Sequence, residues 1–171
     1  MQRFPGMDET QTRAWIALMS LSQILASSLD NRLREIGLTT FELNALVVLD
    51  EAADRVLGIT EIAERSHSPV PRMSKVITRL EARGLVRRSA STTDARAVCI
   101  HLTPEGRRVM LKALPVYSAE GRRLVIDRLD ARQLTDLADL LQDVVIDLDP
   151  QGPLARFTGP VLPIRGADRA P

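Results

Sequence analysis

Pro71, Arg72, Ser74, Lys75, Thr78 and Arg79 fall on the side of a helical wheel left over when Met73, Val76, Ile77 and Leu80 point inward. Short hydroxyls, guanidinium groups and one ammonium on a helix face are the groups that read base edges and bind phosphates in a DNA major groove. Ser68, just upstream, joins this set: the start of such a helix offers free N–H groups and a positive dipole end to a phosphate. About ten residues beyond the helix a thin polar loop carries Asp94 and Arg96, with Arg87 and Arg88 before it. An arginine on a thin loop fits the narrow minor groove, where the negative potential is strong, and the Asp94 carboxylate would steady it.

A second constellation is Cys99 with His101, two apart and therefore on one face of a strand, near Asp94. Those types ligate a metal or form a redox switch. No thiolate-activating neighbour is placed by sequence, so a structural or merely exposed role is the preferred reading. Catalytic patterns are missing. There is no phosphate-cradling glycine loop, no His-Glu-x-x-His, and one cysteine with two histidines assembles no triad. Glu61 and Glu64 read as the solvated face of a helix. The expectation is a protein that is not an enzyme and uses no cofactor.

The net charge of +1 hides a polarity. Residues 1–59 are net −3, residues 60–110 net +5, residues 111–148 net −2, and the remainder net +1. The basic stretch holds all the groups named above, so it is the part expected to meet a polyanion. With 171 residues, 44% hydrophobic and 26% charged, the chain has room for one domain and an appendage. It has no apolar run long enough to span a membrane, no signal-peptide layout and a single cysteine, and a cytoplasmic protein is expected.

The elements that must hold these groups follow from periodicity. Trp15, Leu18, Leu21, Leu25, Leu29 and Leu33 make one stripe of a long helix over 8–36, closed by Gly37. Thr39 and Glu42 form a capping box for a second helix. Thr60 is the expected cap of a short helix over 60–65. Ser68 followed by Pro69 reads as a cap and a first helical residue, giving a helix over 69–83. A two-stranded hairpin occupies 85–102, with the polar segment 89–96 as its loop. Thr103-Pro104 starts a helix expected to run to about residue 129, bent near Pro115. Asp130 with Gln133 caps a last helix whose side is lined by Leu134, Leu137, Leu141, Val144, Val145 and Leu148. From residue 149 the composition turns to proline and glycine, and a flexible tail is expected.

This chain resembles the MarR family, the multiple antibiotic resistance regulators of bacteria. The resemblance rests on Leu80-Glu81-Ala82-Arg83-Gly84-Leu85-Val86, on Asp94-Ala95-Arg96 and on Leu102-Thr103-Pro104-Glu105-Gly106, in that order and spacing, and it extends over about 10–148. It implies a mainly α fold with a small β-hairpin wing. A winged helix-turn-helix part over 39–102 would bind DNA. The first helix and the helices of 103–148 would interlock in a homodimer on a pseudo-palindromic double-stranded site, commonly as a repressor. On that pattern Arg72, Ser74 and Lys75 face the groove and Arg96 enters the minor groove. By their chemistry Lys75, Arg79 and Arg88 are expected to hold phosphate, and Arg72, Ser74 and Thr78 to read bases. Pro71 departs from it, standing where members often have serine or a similar donor. Many members respond to a small aromatic or anionic effector, for which this chain offers Trp15, Met19, Arg34, Phe41 and Leu46, with core packing as the plainer role. Members that sense oxidants carry their cysteine near the first helix, unlike Cys99. The alternatives are a winged-helix protein-interaction module without DNA binding, and a regulator switched through Cys99.

Overall fold

The computed structural model describes residues 4–90 and 98–150. The expected loop pair Asp94 and Arg96 and the tail beyond Pro150 lie outside the described residues. The elements are α1 (Glu9–Arg34), α2 (Thr40–Glu51), β1 (Val56–Gly58), α3 (Ile59–Arg65), α4 (Val70–Ala82), β2 (Val86–Ala90), β3 (Val98–Leu102), α5 (Pro104–Leu124) and α6 (Ala131–Leu148). They divide into two compact units, one ending at Arg128 and one beginning at Leu129.

Side-chain caps set most of the boundaries. Asp8, Thr39 and Asp130 each accept from the backbone three residues on, and Gln11, Glu42 and Gln133 reach back to complete the box. Gly37, at φ +77°, ends the first helix by letting the Leu38 N–H return to the Leu33 carbonyl at 3.1 Å. Thr103 caps α5 by accepting from Gly106 N–H, with Pro104 at the first helical position.

The core of the first unit joins Leu33, Leu38, the inner faces of α2, α3 and α4, Leu57 and Ile100 from the sheet, and Met110 and Ala113 from α5. Met73, Val76, Ile77 and Leu80 are all buried in it, which fixes the roll of α4 and therefore which residues it shows to solvent.

Five boundaries differ from the sequence expectation. The sheet has three strands rather than two, in the order β1-β3-β2 and antiparallel throughout, with Leu57 opposite Ile100 and Arg88 opposite Ile100 on the other side. The expected loop 89–96 starts later, because Ser89 and Ala90 pair with Cys99 and Val98. Thr60 is inside α3, whose cap is Gly58 without a side-chain bond. Ser68 is not the cap of α4: Pro69 holds that place, again with no side-chain bond. The turn at His67 (φ +46°) sends the Ser68 N–H back to the Ala63 carbonyl at 2.9 Å and buries its side chain, so the helix starts later than expected. Finally, α5 passes through Pro115 and stops at Leu124 instead of residue 129, followed by a short 3-10 turn at Ile126–Arg128.

Candidate nucleic-acid interface

With its inner side buried, α4 leaves Pro71, Arg72, Lys75, Thr78 and Arg79 exposed, with Ser74 half-buried among them. Ser68 is buried and its hydroxyl has no partner among the described residues, so it is not offered to a ligand. Val70 was not foreseen. It sits in the first turn, 39% exposed, beside Pro69 and Pro71, so the tip of the helix is an apolar knob. An exposed apolar side chain there matches the C5-methyl group of thymine, a contact that hydrogen-bond patterns in the sequence do not reveal.

The basic side chains on this face are engaged unequally. Arg79 Nε donates to Glu42 Oε1 at 3.2 Å, and Arg83 lies 3.6 Å from Glu42 Oε2. Glu42 is buried, and its Oε2 also accepts the Thr39 N–H at 2.9 Å. A residue expected only to cap α2 therefore also ties α4 to α2. Arg88 is held in turn by Glu81: its backbone N–H donates to Oε1 at 3.1 Å, its guanidinium pairs with the same carboxylate, and Nη2 donates to Thr78 Oγ1 at 3.0 Å. Thr78 Oγ1 in turn donates a hydrogen bond to the Ser74 carbonyl at 3.0 Å. Arg72 differs, since its guanidinium carbon lies 3.7 Å above the centre of the Phe41 ring and it makes no ion pair among the described residues. Lys75 also has no ion-pair partner among them.

At the base of the wing, His101 bridges two β2 side chains. Arg87 Nη2 is 3.2 Å from Nδ1, and Ser89 Oγ is 2.7 Å from Nε2. A guanidinium can only donate, so Nδ1 accepts, and the neutral ring carries its proton on Nε2, aimed at the serine. That is the wrong tautomer for taking a proton from Ser89, although the pair has the look of a catalytic dyad. Burial, and then the Arg87 charge, hold the His101 pKa below its ordinary value. Cys99 is half-buried opposite Ser89 and Gly58. No three His, Cys, Asp or Glu side chains converge on a metal-sized site among the described residues.

The five expected effector residues do not share one environment. Leu46 is fully buried in the core and has no surface for a ligand. Arg34 is exposed and pairs with Asp30 at 2.7 Å. Phe41 is covered by Arg72. Trp15 lines a cleft of about 480 Å³ with Met7, Gln11 and Leu18, and Met19 is exposed elsewhere on α1. A separate cleft of about 320 Å³ runs between Arg55 and the start of α5, with Arg107 and Arg108 on its wall. There Arg55 and Arg107 share the Asp50 carboxylate, each at 2.9 Å.

No helix among the described residues is long and apolar enough to cross a membrane. Comparison with known proteins gives a consistent answer. A sequence model of the MarR family matches residues 38–98, from two residues before α2 to the first residue of β3. The structure is similar to AbsC, a MarR family transcriptional regulator from Streptomyces coelicolor, with a TM-score of 0.77 and 30% identity over 88% of this chain and 100% of that one. It is also similar to Sco3205 of the same organism, solved in complex with DNA, with a TM-score of 0.78 and 29% identity over 85% and 95% of the two chains. Among curated proteins, the transcriptional repressor YetL of Bacillus subtilis is 25% identical over 67% of this chain and 68% of its own length. By its wing, its α4 and a likeness that runs the full length of AbsC, this chain belongs to the MarR family of transcriptional regulators.

Proposed function

We propose that the chain acts as a homodimer that grips a pseudo-palindromic stretch of double-stranded DNA and represses transcription there until a signal releases it. The observation that carries this reading is the outer face of α4. It presents Arg72, Lys75 and Thr78 on a helix whose inner face is locked by four buried side chains. A rigid element is what base reading requires, since loosely held donors pay ordering entropy at every contact. That the similar regulator Sco3205 was solved in complex with DNA supports DNA as the ligand.

In this reading residues 39–102 are the DNA-binding part. Arg72, Ser74 and Thr78 read bases, and Lys75 holds phosphate. Arg79 and Arg88 add phosphate contacts from positions set by Glu42 and Glu81. Arg96, steadied by Asp94, enters the minor groove. Residues 8–36 and 103–148 supply the dimer contacts. Trp15, Leu18, Leu21 and Ile24 of α1 are exposed, an apolar surface of the kind that marks an interface. Leu140, Leu141, Val144 and Leu148 of α6 are exposed likewise within their own unit. A small aromatic or anionic effector is the proposed signal, with Trp15 and Met19 as the available wall on α1. The reading gives the protein a cytoplasmic place, no cofactor and no catalytic step.

Binding of the purified protein to labelled duplexes from upstream of its own gene, and to a random-sequence pool, tests this. Competitor-resistant binding that Lys75→Ala and Arg96→Ala both weaken is the expected result. Equal affinity for every duplex together with a flat salt dependence would replace it with a protein-interaction module.

A further inference from the structure

We propose that Phe41, on α2, is the positioning residue for base reading by Arg72, and that this aromatic–guanidinium stack selects one base pair in each half of the DNA site. The inference rests on the reading of α4 as the helix that enters the major groove. Its geometric basis is the 3.7 Å separation between the Arg72 guanidinium carbon and the Phe41 ring centre. An approach led by an N–H would interpose a nitrogen and push that carbon outward by about one C–N bond, roughly 1.3 Å. At 3.7 Å the group therefore lies flat on the ring.

A flat stack holds the cation by its face and leaves the N–H donors around its rim uncommitted. The other arginines nearby are held the opposite way. Arg79 gives its Nε–H to Glu42, and Arg88 gives donors to Glu81 and Thr78. A guanidinium restrained without spending its donors is suited to the forked contact with O6 and N7 of guanine, where two N–H groups must arrive together. The restraint also lowers the rotamer entropy lost on binding. Phe41 is itself fixed, half-buried against the core in the first turn of α2, just after the capping residue Thr39. The platform is thus an element end held in place by its own cap.

The test uses the full-length protein and a duplex selected by it from a random pool, together with every single-base-pair variant of that duplex. Arg72→Ala should flatten discrimination at one base pair per half-site by about ten- to a hundredfold. Phe41→Leu should flatten it at the same base pair by about three- to tenfold. Phe41→Met, which keeps the packing volume but has no ring face, should do the same, and Phe41→Tyr should restore discrimination. The double variant Phe41→Leu, Arg72→Ala should be no worse than Arg72→Ala alone. In the free protein the Arg72 Nε–H proton should show a ring-current shift that Phe41→Met abolishes. Unchanged discrimination in both Phe41→Leu and Phe41→Met overturns the proposal, as does full additivity in the double variant or the lack of a ring-current shift in the wild type. A wild-type protein with no sequence preference at all overturns the DNA reading, and the proposal with it.

Discussion

At the scale of single residues, the positions that matter most are those whose neighbours leave no latitude. Gly106, two residues after Pro104, is one. A Cβ there would stand 2.0 Å from the Leu85 carbonyl oxygen and 3.0 Å from Leu102 Cδ1. The same carbonyl accepts from Thr103 Oγ1 at 3.0 Å and from the Thr103 N–H at 3.2 Å, so the strand end and the helix start are fastened together where the methyl would go. Gly106→Ala should therefore destabilise the fold by about 1–3 kcal/mol, the usual cost of forcing extra volume into a packed site. Chemical denaturation would show it, and an unchanged midpoint would mean the two backbones separate freely. His101 makes a prediction of different form. Its pKa is lowered in the folded chain, first by burial and then by Arg87, so the unfolded chain binds the proton more readily. Stability is then full above the ordinary value near 6.5, falls as pH drops through it towards the lower folded value, and is flat below that. His101→Gln should remove this part of the slope, read as the difference between the two proteins' melting temperatures from pH 8 to pH 5.

At the scale of elements, what could be read from the sequence was whatever chemistry is local. Thr39, Thr103 and Asp130 cap as expected because a cap is a contract among residues three apart. The inner face of α4 was legible for the same reason, since four apolar residues at helical spacing leave only one way to roll the helix. Strand β1 was not, because three residues show no period and its pairing partner is β3, more than forty residues away. The candidate site followed the same division. Which residues of α4 face outward was legible, but the uses of Glu42 for Arg79 and of Phe41 for Arg72 join α2 to α4 across more than thirty residues and were not. Ser68 and Thr103 carry the same serine/threonine-proline signal yet differ, because the turn at His67 draws Ser68 inward. Its hydroxyl is buried without a partner among the described residues, whereas a capping hydroxyl is worth about 1 kcal/mol. Ser68→Ala should thus be neutral or slightly stabilising, while Thr103→Ala should lose about that amount or more. Equal losses in the two variants would restore Ser68 as a cap.

At the scale of the whole molecule, the unpartnered apolar stripe of α1 and the cationic face of α4 bear on one question, the number of DNA contacts made at once. Only the far end of the α1 stripe is sealed, at Leu33, while Trp15, Leu18 and Leu21 remain open. If the proposed dimer forms through this stripe, Leu18→Glu should leave the fold intact, since the side chain is already 45% exposed, yet reduce the sedimenting mass from twice 18.9 kDa to that of one chain. The loss of the dimer should then appear in the salt dependence of DNA binding. Each neutralised phosphate adds about 0.9 to the slope of log affinity against log salt. Lys75 is present twice in a dimer, so Lys75→Ala should flatten the slope by about 1.8 in the parent protein and by about 0.9 in the Leu18→Glu background. A loss of about 0.9 in both would mean that one subunit alone touches DNA. No loss in either would take Lys75 out of the interface, whatever the oligomeric state.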